Sequence, residues 1–120
     1  MEPIPFDKRS GKIWFNGETV NWPDVKIHVL NHGLHYASCV FEGERVYDGQ
    51  IFKLEEHTER LFHSALRLGF KIPYSQEILN RACKEIVEIQ KVKNGYVRPV
   101  VWRGSEMMAI SAQKTKIHVA

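Results

Sequence analysis

The segment Tyr96 to Arg103 (YVRPVVWR) sets an arginine inside an otherwise apolar run. Read as a strand, its period of two puts Tyr96, Arg98, Val100 and Trp102 on one face. A guanidinium there needs an anion or a route to water, because an unpaired buried charge is costly. Its fork matches carboxylates and phosphates, so Arg98 with Tyr96 suits an acidic small molecule. The competing reading is an arginine that snorkels at a sheet edge or pairs with an internal glutamate. Ser38 to Tyr47 (SCVFEGERVY) behaves similarly: Cys39, Phe41, Gly43, Arg45 and Tyr47 share one face, and Val40, Glu42, Glu44 and Val46 the other. Gly43 in a strand interior admits a ligand or another backbone closely, or marks a bulge or a tight packing contact. Arg60, within EEHTERLFHS, is either a phosphate contact or a solvated helix arginine paired with Glu56 one turn earlier.

Other reactive types give less. His28, His32 and His35 are spaced four and three apart, a zinc-compatible pattern on a helix. The stretch lacks a helical pattern and an acidic residue to orient the rings, so hydrogen-bonded loop histidines are expected and no metal. Cys39 and Cys83 form no CxxC pair and read as reduced thiols of a cytoplasmic protein. No lysine sits in an apolar context that would depress its pKa for Schiff-base work. P-loop, GxGxxG and HExxH motifs are absent, as is any Ser/His/Asp or Cys/His arrangement.

The elements that must position these residues follow from turn and cap chemistry. Asn16-Gly17 and Asp48-Gly49 lie between β-prone runs and predict two hairpins. Pro23-Asp24 makes a turn, Val25 to Leu30 alternates like a short strand, and Asn31 to Ala37 reads as a loop or a single turn. A helix starts at Leu54 with Glu55 and Glu56 in its first turn, buries Leu54, Leu61, Ala65 and Leu68, and ends near Gly69. Pro73 and Ser75 introduce a second helix with Ile78, Leu79, Ala82, Cys83, Ile86 and Val87 on its apolar face, ended by Asn94-Gly95. Pro99 in the strand after it argues for an edge or a bulge. Thr115 to Ala120 begins a further strand. Strands, two helices, strands predict an α+β domain, an antiparallel sheet with two helices on one face.

Composition narrows the class. The 120 residues amount to about one domain, and 43% hydrophobic with 26% charged residues is ordinary for a soluble globular chain. A net charge of +3, from 17 basic and 14 acidic residues dispersed along the chain, argues against nucleic acid. No apolar run reaches the ~20 residues of a membrane helix, and the first residues, MEPIPFDKRS, show no secretory leader.

Taken together, IWFNGE at Ile13 to Glu18, HVLNHGLHYASCVFEGERVY at His28 to Tyr47, EEHTERLFHSA at Glu55 to Ala65 and GYVRPVVWRG at Gly95 to Gly104 resemble the N-terminal part of a branched-chain amino acid aminotransferase. These are pyridoxal-phosphate enzymes of class IV, and the resemblance runs from Ile13 to Ala120. It implies that Arg60 binds the cofactor phosphate. Tyr36 and Phe41 would shape the substrate side-chain site, and Tyr96 and Arg98 would handle substrate carboxylates. It implies amino transfer between leucine, isoleucine or valine and 2-oxoglutarate, in a cytoplasmic homodimer or higher homo-oligomer. The family's Schiff-base lysine lies in a C-terminal domain, and no lysine here matches it. Residues 1–120 are therefore expected to be the small N-terminal domain, cut at the start of the interdomain region and inactive alone. Two places depart from the pattern. Glu44 stands where the family carries an apolar residue; facing away from Arg45, it is expected to matter little to the pocket. Gly104 to Ala112 corresponds to a loop that reaches the neighbouring subunit's site, with Met107, Met108 and Ile110 as a loosely matching apolar tip. Another class IV enzyme, such as a D-amino acid transaminase or aminodeoxychorismate lyase, is the alternative, and a small metal- or ligand-binding module the third reading.

Overall fold

The computed structural model describes residues 2–120. Asn16 and Gly17 both take positive φ, 49° and 92°, as a two-residue type I′ turn demands. They join β1 (Lys12–Phe15) to β2 (Glu18–Asn21), with Phe15 opposite Glu18. Asp48 and Gly49 repeat the device, at 49° and 77°, between β4 (Glu44–Tyr47) and β5 (Gln50–Ile51). Residues 25–30 form no strand. Trp22–Asp24 is a single 3-10 turn around Pro23, and Ile27, Val29 and Leu30 are exposed. Alternation with no neighbouring strand to pair has nothing to hold it in a ladder. The next segment is the single turn expected, helix α1 (His32–Tyr36), closed by Ala37 in the left-handed region.

The two longest expected strands are each interrupted. β3 (Cys39–Phe41) pairs with β7 (Val100–Arg103), and β4 pairs with β6 (Gly95–Val97). Phe41 faces Val100 and Glu44 faces Val97, so Glu42-Gly43 on one strand lies against Arg98-Pro99 on the other, in unchanged register. No residue is inserted, so the bulge is absent. Pro99 itself lies in no strand, between β6, an edge strand of its sheet, and β7, which runs between β3 and β8 (Ile117–Val119). Proline has no N–H to give the ladder; its carbonyl accepts from the Glu42 N–H at 3.0 Å instead. One antiparallel ribbon thus divides into two three-stranded sheets, β3-β7-β8 and β5-β4-β6. The side-chain alternation survives the division: Val40, Glu42, Glu44 and Val46 are buried, while Cys39, Phe41, Arg45 and Tyr47 are exposed.

Helices α2 (Leu54–Arg67) and α3 (Gln76–Ile89) close the core. Ser75 caps α3, its Oγ accepting from the Ile78 N–H at 3.1 Å. Leu54, Leu61 and Ala65 are buried on α2, but Leu68 follows its last turn and is exposed. α3 buries Leu79, Ala82, Cys83 and Val87, and leaves Ile78 exposed. It ends at Ile89, before Lys91 in the left-handed region; Asn94-Gly95 instead leads into β6. Leu61 and Ala65 of α2 and Leu79 of α3 meet Val40, Val101 and Val119 of the sheet, together with Phe70 and Ile72. The fold is α+β, with every strand pair antiparallel and two helices packed against the sheet. Among the described residues no helix is long and apolar enough to cross a membrane.

Candidate functional site

The interruption in the ribbon is where the site residues gather. Arg98 leaves the ladder beside Pro99, so its side chain is free to fold back. Its Nε and a terminal nitrogen donate to the Tyr96 hydroxyl at 3.0 and 2.6 Å. The guanidinium lies over the Phe41 ring, 4.2 Å from its centroid. Among the described residues no carboxylate pairs with Arg98, so the internal-glutamate alternative is not what forms. Tyr96, Phe41 and Arg98 are all exposed. Val100 and Trp102 keep the same face, opposite Phe41 and Cys39 in the register, and Trp102 is buried there against His118 and Phe15. Gly43 has a steric reason: a Cβ there would collide with the Tyr96 hydroxyl oxygen. What approaches Gly43 is thus a phenol.

Arg60 does not pair with Glu56, which instead meets Lys53 at 3.6 Å. It reaches across to Glu42, Nε to Oε2 at 2.8 Å and a terminal nitrogen to Oε1 at 2.7 Å. His57, one turn earlier on α2, meets Oε1 through Nδ1 at 2.7 Å; because a carboxylate only accepts, Nδ1 carries the proton. Glu42 is buried while the Arg60 side chain is 66% exposed. The Arg60 hydrogen bonds, aided by His57, hold the Glu42 carboxyl below its usual range against the opposing effect of burial. Glu42 in turn raises the Arg60 pKa through the same contact.

Glu44 is the unexpected resident of the core. It is 0% exposed, and neither carboxylate oxygen has a hydrogen-bond partner among the described residues. Burial pushes its carboxyl up to about 7, with the charge of His57 opposing. Burial and the neighbouring Glu44 together push the Cys83 thiol up as well. The expectation that Glu44 matters little concerned the pocket; its effect falls on the core.

Tyr36 stands apart from the Arg98 cluster in its contacts: its ring packs against His32 at 4.5 Å and His35 at 6.5 Å. The histidines are occupied in the loop. His32 bonds to the Ser38 hydroxyl and the Ala109 carbonyl, His35 to the Val29 carbonyl, and His28 Nδ1 accepts from the Leu30 N–H. The described residues hold no group of three metal-ligating side chains. Met107, Met108 and Ile110 are exposed. So is every lysine except the half-buried Lys12, whose Nζ donates to Asn21. Both cysteines are free.

The structure therefore brings together Phe41, Tyr96 and Arg98, and joins Arg60 to them through the residue beside Phe41. Sequence reasoning missed Glu42 and His57. The available signals were a glutamate continuing the inward phase of β3 one residue past its end and a histidine three residues before Arg60 on the same helical face.

Comparisons with known proteins bear on the family of the chain. The family model for amino-transferase class IV matches residues 39–120. A probable branched-chain-amino-acid aminotransferase from Rickettsia bellii is 48% identical over 107 residues, 89% of this chain and 37% of that relative. The branched-chain-amino-acid aminotransferase of Pseudomonas aeruginosa is 45% identical over 115 residues, 92% of this chain and 38% of its own length. Among solved structures, the Escherichia coli branched-chain amino acid aminotransferase superposes with a TM-score of 0.87 at 35% identity, covering 92% of this chain and 38% of that one. The branched-chain amino acid aminotransferase of Thermoproteus uzoniensis with norvaline gives 0.85 at 33% identity, covering 92% and 39%. The chain spans less than two fifths of the curated relatives described here. On the match over residues 39–120, the chain belongs to the class IV aminotransferase family.

Proposed function

We propose that this chain supplies the N-terminal, substrate- and phosphate-contacting part of a pyridoxal-phosphate enzyme that moves amino groups between branched-chain L-amino acids and 2-oxoglutarate. The observation that carries the reading is Arg98, held by the Tyr96 hydroxyl over the Phe41 ring without a carboxylate partner. A site for both an aliphatic side chain and a distal carboxylate needs an apolar platform and an anion receptor side by side. Phe41 is the platform and Arg98 the receptor, with Tyr96 fixing the fork; the resemblance assigns Tyr36 to the aliphatic side as well.

Arg60 suits the phosphate of pyridoxal phosphate. Arginine carries more N–H donors than Glu42 occupies, and the remainder lie on an exposed side chain. Bound there, pyridoxal phosphate supplies the electron sink for the bonds at the substrate Cα. On this reading the Schiff-base lysine belongs, as the resemblance implies, to a C-terminal domain outside these residues, and the 120-residue chain alone is inactive. The exposed apolar residues Ile27, Val29, Leu30 and Leu34 suit a surface covered in a homodimer or higher homo-oligomer, and the reading extends to a cytoplasmic setting.

The test is amino transfer by the full-length protein, comparing L-leucine, L-isoleucine and L-valine with D-alanine as donors to 2-oxoglutarate. Arg98→Ala should raise the KM for 2-oxoglutarate about 10-fold or more, the cost of a charge-assisted contact, and change that for L-leucine far less. Preferential use of D-alanine would reassign the chain to another class IV activity. Equal effects of R98A on both substrates would remove the receptor role.

A further inference from the structure

Glu42 is a buried carboxylate whose side-chain partners among the described residues, His57 and Arg60, come from one helix, and its backbone belongs to the segment that carries Phe41 and Gly43. Its side chain takes the inner edge of the Arg60 fork in a two-point contact, and His57 takes a second lone pair on Oε1. A long exposed arginine has many rotamers, and immobilising one costs free energy at the moment of binding. A carboxylate that is itself buried and held at three points removes that cost in advance. The contact uses Nε and one terminal nitrogen, so the other edge of the guanidinium stays open. The Glu42 N–H is tied in turn to the Pro99 carbonyl, beside Arg98. The same residue therefore fixes the helix arginine and the corner of the ribbon from which the second arginine projects.

We propose that Glu42, oriented by His57, is a positioning residue that presets Arg60 to receive a phosphate on its open edge and keeps its own contact with Arg60 when the phosphate arrives. This rests on the reading of Arg60 as the phosphate anchor, and the experiment separates the two. Dissociation constants of the full-length protein for pyridoxal phosphate and for pyridoxal, which lacks the phosphate, would be measured for Glu42→Gln, Arg60→Ala and the double variant. E42Q should weaken pyridoxal phosphate about 10-fold, as loss of an orienting partner commonly does, and leave pyridoxal unchanged. The double variant should bind no worse than R60A, because Glu42 acts only through Arg60. Losses that add in the double variant, or an equal loss for pyridoxal, would overturn the inference. If R60A leaves pyridoxal phosphate binding intact, the phosphate-anchor reading falls as well; if R60A weakens it and E42Q does not, only the role of Glu42 falls. A second measurement needs no variant. The Arg60 Nε–H signal of the unsubstituted protein should be protected from exchange without ligand and remain so with pyridoxal phosphate bound. Loss of protection on binding would show Glu42 to be a competitor for the phosphate, and would refute a positioning role.

Discussion

Glu44 offers the sharpest check on this account of the core. Its carboxyl is fully buried without a hydrogen bond and sits at about 7, against 4.5 when solvated. Below 4.5 the group is protonated in both the folded and the unfolded chain and costs nothing through ionisation. Between these values the unfolded chain releases a proton that the folded protein keeps, so stability falls as pH rises. Above 7 the penalty is complete, and the shift corresponds to about 3 kcal/mol. Glu44→Gln keeps the size of the neutral acid and removes the titration. Comparing urea midpoints of E44Q and the unsubstituted protein from about pH 4.5 to about pH 8 isolates this group from others that titrate in the same range. The two should be close at the acid end, and E44Q the more stable by about 3 kcal/mol at the basic end, a melting difference on the order of 10 °C for a domain of this size. The ionisable groups that act on Glu44 are His57 on α2, Cys83 on α3 and Glu42 at the break before β4. Curves that run parallel across the range would refute the argument, because they would mean that the carboxylate is solvated or paired in the folded protein.

Gly43→Ala should displace the Tyr96 hydroxyl, which a Cβ would otherwise strike. Tyr96 is exposed and can move, so, under the function proposed above, the loss should appear in the full-length protein as a several-fold rise in the KM for 2-oxoglutarate with a melting temperature within a few degrees of the unsubstituted protein's; an unchanged KM counts against the Tyr96–Arg98 arrangement. Ser75→Ala removes the acceptor for the Ile78 N–H and should cost about 1 kcal/mol in a urea titration. No change there would mean that water replaces the cap.

What could be read from the sequence was what the chain decides locally. Asn16-Gly17 and Asp48-Gly49 announce their turns because few other residues accept positive φ at those positions. Ser75 announces α3 because its side chain satisfies an N–H three residues away. The division of the ribbon was hidden for the opposite reason. Its register and its inside–outside alternation continue across Glu42-Gly43, so a period-two pattern looks the same whether the ladder is whole or broken. Pro99 signalled that something happens there and left open what. The Arg60–Glu42 pair joins a helix to a strand eighteen positions away, and no spacing rule reaches that far. Arg98 with Tyr96 was readable from the strand pattern as a receptor for an acid, whereas Tyr36 and Phe41 took their substrate roles from resemblance. The geometry gathers three of these, while Tyr36 contacts histidines of its own loop.

Residues 41–43 divide three duties among three consecutive positions: Phe41 lies under Arg98, Glu42 clamps Arg60, and Gly43 leaves room for Tyr96. The arrangement depends on which side of the ribbon each residue occupies. Loss or gain of one residue between Cys39 and Tyr47 would reverse that order for the positions beyond it. A deletion at this point would turn the acid outward and the ring inward, undoing both arginine contacts in one event. Point substitutions here can be graded, each degrading one contact, whereas changes in length cannot. This stretch of the chain should therefore be able to drift in composition on its outer face, at Cys39, Arg45 and Tyr47, while its length is held fixed.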